Sequence, residues 1–154
     1  MPDAHATLAP PSDLAGEALH KFLRINRYLR QYARQVNEHG LPPKQFSVLR
    51  RLLEDGPATV GAIQEYLYSS ASVASTVISQ LEEAGFVTRT RSPEDNRVVI
   101  VALTQAGRAL AQNTPMGGIV LLRRKLATLP EERLRAIDAA LADIMELMGV
   151  TDEA

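Results

Sequence analysis

The 154-residue chain has no cysteine and no tryptophan, and only three histidines. Without cysteine there is no disulfide, no thiolate nucleophile, no thiol-based redox sensor and no cysteine metal site. His5, His20 and His39 assemble no ligand set, and no serine stands in a nucleophile motif, so no metal, cofactor or catalytic centre is expected. Long apolar runs are missing: nothing approaches the ~20 residues of a membrane span. The stretch MPDAHATLAPPSD lacks the basic and apolar regions of a secretory signal, so a cytoplasmic chain is expected. Charge of one sign is missing as well. Seventeen Lys and Arg against eighteen Asp and Glu leave a net charge of −1, so a polyanionic partner would have to be met by local basic patches. The apolar share of 45% is that of an ordinary globular chain, and the length suits one domain with a sizeable core.

What the chain does have is a stretch, Ser69 to Leu103, whose hydrophobic period changes twice. Ala74, Val77, Ile78 and Leu81 recur at the three- and four-residue steps of one helical face, predicting a helix from Ser72 to Glu83 that Gly85 stops. Phe86, Val87 and Thr88 open a strand. Ser92 to Asn96 carries turn residues, and Val98 to Leu103 is a β-branched return strand. Upstream, Thr59 or Val60 begins a short helix with Ile63 and Leu67 inward, and Tyr68-Ser69-Ser70 forms a tight turn. This is the spacing of a helix-turn-helix, here followed by a hairpin wing.

The flanks are helical. Residues 1–12, rich in Ala and Pro, read as a disordered arm, after which Asp13 can cap a helix to about Glu38. A second helix follows Pro42-Pro43 with Phe46, Leu49, Leu52 and Leu53 on one face, and Ala58-Thr59 can add a short strand to the wing. After the wing, Thr104 can cap a helix that breaks within Asn113 to Gly118. Thr114 and Pro115 can restart it, and Thr128 with Glu131 has capping-box spacing before the last helix.

Two helices carry apolar stripes at heptad spacing. The first has Phe22, Ile25 and Leu29, interleaved with Lys21, Arg24, Arg27, Arg30 and Arg34; the last has Leu134, Ile137, Leu141 and Ile144. From Thr128 onward seven acids stand against two bases. Opposite charge and matching stripes predict a dimerisation module built from both termini of two chains, over residues 13–40 and 105–150, around a DNA-binding lobe at 41–104. The expected fold class is mainly α with a small β-hairpin wing: a winged helix-turn-helix plus a helical dimerisation module from both termini.

Opposite the apolar face of the Ser72 to Glu83 helix lie Ser72, Ser75, Thr76, Ser79 and Gln80, with Ser70 at the turn; Lys and Glu, usual on a solvated face, are missing there. Hydroxyls can bond phosphates or base edges, and glutamine can address adenine. In the hairpin, Arg89 and Arg91 share a strand face, and Arg97 leaves the turn beside Asp95, which can orient it. Arginine at a hairpin tip suits a narrow minor groove. The predicted DNA-contacting set is therefore Ser70, Ser72, Ser75, Thr76, Ser79, Gln80, Arg89, Arg91, Asp95 and Arg97.

The segments Leu81-Glu82-Glu83-Ala84-Gly85-Phe86-Val87-Thr88-Arg89, Pro93-Glu94-Asp95-Asn96-Arg97 and Val101-Ala102-Leu103-Thr104-Gln105-Ala106-Gly107-Arg108 resemble the MarR family of bacterial and archaeal regulators. The resemblance implies a homodimer whose winged helices each read half of a palindromic operator. It also implies a small lipophilic or phenolic effector that relaxes binding, so the expected function is a ligand-responsive transcriptional repressor; the residues do not single out an effector site. Two positions depart from the family pattern. The recognition helix has no Arg or Lys between Ser69 and Leu81, which shifts the expected affinity to the wing, and Tyr68 stands where the turn often has glycine. With the near-neutral charge, the unbasic helix leaves one alternative, a winged-helix protein-interaction module without DNA binding.

Overall fold

The computed structural model describes residues 13–151; the arm expected over residues 1–12 lies outside them. The chain divides into two compact units, one ending at Pro115 and one beginning at Met116. Each is described by itself.

The first unit begins with α1 (Asp13–Glu38), α2 (Pro43–Asp55), β1 (Ala58–Thr59), α3 (Val60–Leu67) and α4 (Ala71–Glu83). It continues through β2 (Val87–Arg91) and β3 (Val99–Leu103) to α5 (Gln105–Asn113). Asp13 is the first helical residue described, inside α1. Helix α2 is the hub, touching α1, α3, α4, α5 and β3. That explains a departure from the expected single face: Val48 is buried with Phe46, Leu49 and Leu52, while Leu53 keeps partial exposure. A helix surrounded by neighbours buries more than one stripe. Around it, Val36, Leu41, Ile63, Ala74, Ile78, Leu81, Val87, Val101 and Ala111 complete the core.

The three strands form an antiparallel sheet in the order β1-β3-β2, so Ala58-Thr59 does join the wing. Val87 pairs with Leu103 and Arg91 with Val99. Helix α4 ends as expected. Gly85 takes φ +81, and across it the Phe86 N–H donates back to the Leu81 carbonyl at 2.9 Å. Thr59 and Thr104 cap α3 and α5, accepting from Ala62 and Gly107 N–H.

The second unit holds α6 (Gly118–Leu126) and α7 (Glu131–Met148). Two expected caps are corrected at its edges. Thr114 does not open α6. Its hydroxyl and its N–H both donate back to the Leu110 carbonyl, closing α5, and Gly117 takes the N-cap position of α6. Nor does Thr128 form a capping box with Glu131. Its hydroxyl donates to the Lys125 carbonyl at 2.7 Å, Pro130 is the N-cap of α7, and Glu131 pairs with Arg135. In both cases a threonine expected to start one helix finishes the one before it, because a hydroxyl can serve a preceding carbonyl as readily as a following N–H. No helix among the described residues is long and apolar enough to cross a membrane.

Candidate nucleic-acid interface

Helix α4 sits at the surface because only one of its faces is apolar. Ala74, Val77, Ile78 and Leu81 are buried, and the opposite side is left to polar residues. Ser70 forms the N-cap, its Oγ accepting the Val73 N–H at 3.2 Å. Ser72, Ser75, Thr76, Ser79 and Gln80 come together as expected and line one shallow groove, which also includes Glu83. Glu83 was not anticipated from the sequence; its carboxylate can accept from a cytosine amino group. Thr76, which lines the groove, donates its hydroxyl proton to the Ser72 carbonyl at 2.9 Å, leaving its oxygen lone pairs to accept from a partner.

Gln80 is tied to Gln45 of α2 by an amide-to-amide hydrogen bond of 2.9 Å, a contact 35 positions apart in sequence. At the turn before α4, Tyr68 adopts a left-handed conformation with φ +49 and is 89% exposed. This accounts for glycine at the equivalent place in the family pattern, since glycine takes that conformation without steric cost.

The three wing arginines, alike in sequence, have different surroundings. Arg89 is turned onto α4, bonded to Glu82 and Ser79. Arg91 donates from Nη1 to the Asn96 carbonyl at 2.6 Å, bracing the hairpin loop. Arg97 is almost wholly exposed, with its side chain 91% accessible. Asp95 holds it at the base: Oδ1 accepts the Arg97 backbone N–H at 3.0 Å and the guanidinium Nε at 3.2 Å. These bonds, the backbone one foremost, keep the Asp95 carboxyl below its ordinary value of 3.8. The remaining tip acid, Glu94, accepts the buried Ser92 hydroxyl at 2.8 Å. Both acids beside Arg97 therefore have internal partners, and the guanidinium is the group the tip projects.

The residues expected to pair two copies retain apolar exposure. On α1, Ile25 is 58% exposed, with Phe22 and Leu29 partly so. On α7, Leu141 is 53% exposed, with Leu134, Ile137 and Ile144 partly so. Leu126, Leu134, Ile137 and Leu141 share a shallow, largely apolar groove. Among the described residues no cluster of His, Asp and Glu could hold a metal ion.

The MarR family pattern matches residues 41–99, which run from just before α2 through the wing to the first residue of β3. Against the HTH-type transcriptional regulator YwhA of Bacillus subtilis the chain is 30% identical over 101 residues, 66% of this chain and 70% of that protein. The chain belongs to the MarR family. The fold agrees along most of its length with AbsC, a MarR family transcriptional regulator from Streptomyces coelicolor. The TM-score is 0.63 at 24% identity, covering 93% of this chain and 99% of AbsC. It also matches reduced AbfR in a structure bound to DNA, with TM-score 0.58 and 22% identity over 88% of this chain and 94% of AbfR. Within the MarR pattern lie the groove on α4, the Arg89 contact and the Asp95–Arg97 tip.

Proposed function

We propose that this MarR family protein is a sequence-specific DNA-binding transcriptional regulator, acting in the cytoplasm as a homodimeric repressor on a palindromic operator and carrying no catalytic activity. The observation that carries the reading is the pairing of a hydroxyl-rich groove on α4, lined by four hydroxyls, Gln80 and Glu83 and by no cation, with the projecting Arg97 guanidinium of the wing. The groove suits close contact with base edges in a major groove. The guanidinium suits the narrower, more negative minor groove beside it. The DNA-bound state of AbfR, a protein of the same fold, supports DNA binding by this fold.

Each copy presents one α4 and one wing, so two copies read two half-sites about one helical turn, roughly 34–36 Å, apart. A small lipophilic or phenolic effector relaxes binding, as the family resemblance implies. The apolar faces of α1 and α7 join the two copies.

The test is a gel shift on the DNA upstream of the protein's own gene, over a range of salt and with candidate effectors. Salt-sensitive binding that Arg97→Ala weakens strongly, with a flatter salt dependence, supports the reading. Failure of the unaltered protein to bind at low salt refutes it in favour of a protein-interaction module.

A further inference from the structure

Among the hydroxyls on the outward face of α4, Ser79 has a cation behind it. Arg89, on the first wing strand, donates from Nη2 to Ser79 Oγ at 2.9 Å and from Nε to Glu82 Oε1 at 3.2 Å. The same Nη2 lies 3.1 Å from Glu82 Oε1, and the Arg89 backbone N–H donates to Glu82 Oε2 at 3.1 Å. A guanidinium has donors and no acceptor. Ser79 must therefore accept from it, which occupies a lone pair from the protein side and leaves the hydroxyl proton for an outward partner. Thr76, three residues earlier on the same face, is arranged in the opposite sense: its proton goes to the Ser72 carbonyl, which leaves it lone pairs to accept with.

Arg89 is correspondingly ill placed to serve as a phosphate contact. Its side chain is only 30% exposed, and to reach a phosphate it would have to release Glu82, leaving a bare carboxylate beside a polyanion. Charge-assisted bonds at two points favour the clamped arrangement.

Resting on the DNA-binding reading above, we propose that Arg89 is a positioning residue which presents Ser79 to DNA as a hydrogen-bond donor. At the base Ser79 reaches, this selects an edge bearing acceptors (guanine O6 and N7, adenine N7 or thymine O4) over cytosine, whose major-groove edge offers a donor. Thr76 supplies the complementary acceptor and a methyl on the same face. This replaces the expectation that Arg89 itself contacts DNA.

The experiment selects sequences from a pool of random-sequence duplexes with the unaltered full chain and with Ser79→Ala, Arg89→Lys, Arg89→Ala and the Ser79→Ala/Arg89→Ala pair. Each protein's salt dependence is then measured on the duplex that the unaltered protein enriches. Ser79→Ala and Arg89→Ala are expected to relax preference at the same base position by about two- to tenfold, the range of one hydrogen bond. The pair should relax it no further than either alone. The slope of log K against log salt should stay unchanged in Arg89→Ala, and Arg89→Lys, which keeps the charge without the fork, should also relax preference. A slope flattened by about 0.9 for each guanidinium removed, with base preference intact, would make Arg89 a phosphate contact and overturn the proposal. Thermal unfolding checks each variant; should Arg89→Ala not fold, Ser79→Ala and Arg89→Lys still decide the matter by relaxing or keeping the preference. If the unaltered protein enriches no sequence, the DNA-binding reading itself falls and this proposal with it; if it does and the variants keep its preference, only the role of Arg89 falls.

Discussion

A Cβ placed on Gly107 would stand 2.0 Å from the carbonyl oxygen of Phe86. The same carbonyl accepts the Thr104 N–H at 3.0 Å, and the Thr104 hydroxyl donates to the Gly85 carbonyl at 2.6 Å. The start of α5 is thus seated directly on the backbone where α4 hands over to the wing. Glycine is required here for close approach, whatever its effect on helix propensity.

Gly107→Ala is therefore expected to destabilise the fold. An ordinary glycine-to-alanine change inside a helix gains up to about 1 kcal/mol. Here the clash is with backbone, which moves only by shifting α5 or the end of α4, so a net loss of about 1–3 kcal/mol is expected, typical of overpacking. A lower midpoint in urea unfolding checks this. A raised midpoint would show that the two segments separate freely.

Tyr68 presents the reverse case. It holds φ +49, which costs an L-residue about 1–2 kcal/mol, and at 89% exposure it has little packing to lose. Tyr68→Gly relieves that strain and gives back part of the gain through the greater freedom of the unfolded chain. The expected net effect is a stabilisation of up to about 1 kcal/mol by urea unfolding. Tyr68→Ala, which keeps the strain, should show no gain; equal behaviour of the two variants would remove strain as the cause.

Hydrophobic period made most of the fold legible in the sequence. The buried set of α4, the stop at Gly85 and the partner strands of the wing follow from residues close together in the chain. The candidate site was legible as a set of outward side chains, of which Ser72, Ser75, Thr76, Ser79 and Gln80 share one groove. Their pairing was not. Whether an arginine faces solvent or a carboxylate depends on contacts such as Arg89 with Glu82 and Gln80 with Gln45, which the fold brings together. Spacing likewise could not decide whether Thr114 and Thr128 end one helix or begin the next, because either use satisfies a backbone group.

At the wing tip, the Asp95 carboxyl is expected to titrate below 3.8, because the backbone and side chain of Arg97 both donate to its ionised form. With the folded value lowered, whatever stability this interaction gives is fully present above the unfolded value and is lost as pH falls through the folded one. The change lies below 3.8 and leaves the tip intact at neutral pH. Carboxyl-carbon NMR checks it. Arg97→Ala should move the midpoint back toward 3.8 without reaching it, since the backbone N–H remains. A midpoint at or above 3.8 in the unaltered protein would mean that the Asp95 bonds do not form in solution.

Charge at the apolar face of α7 separates association from folding. Leu141 is more than half exposed at the edge of the groove formed with Leu126, Leu134 and Ile137, and it stands on a helix that already carries Glu131, Glu132, Asp138, Asp143 and Glu146. If this face joins two copies, Leu141→Asp places a carboxylate in a desolvated contact and adds repulsion to an acidic helix, at a cost of several kcal/mol to association. Folding of a single chain should change little, because the side chain is already exposed there. Analytical ultracentrifugation at micromolar concentration is expected to show a dimer for the unaltered protein and a monomer for Leu141→Asp, with helix content by circular dichroism retained. Affinity for a two-half-site duplex should fall steeply in the variant and approach that for a single half-site, since the two winged helices are then no longer linked. A variant that remains a dimer would move the interface away from this face of α7.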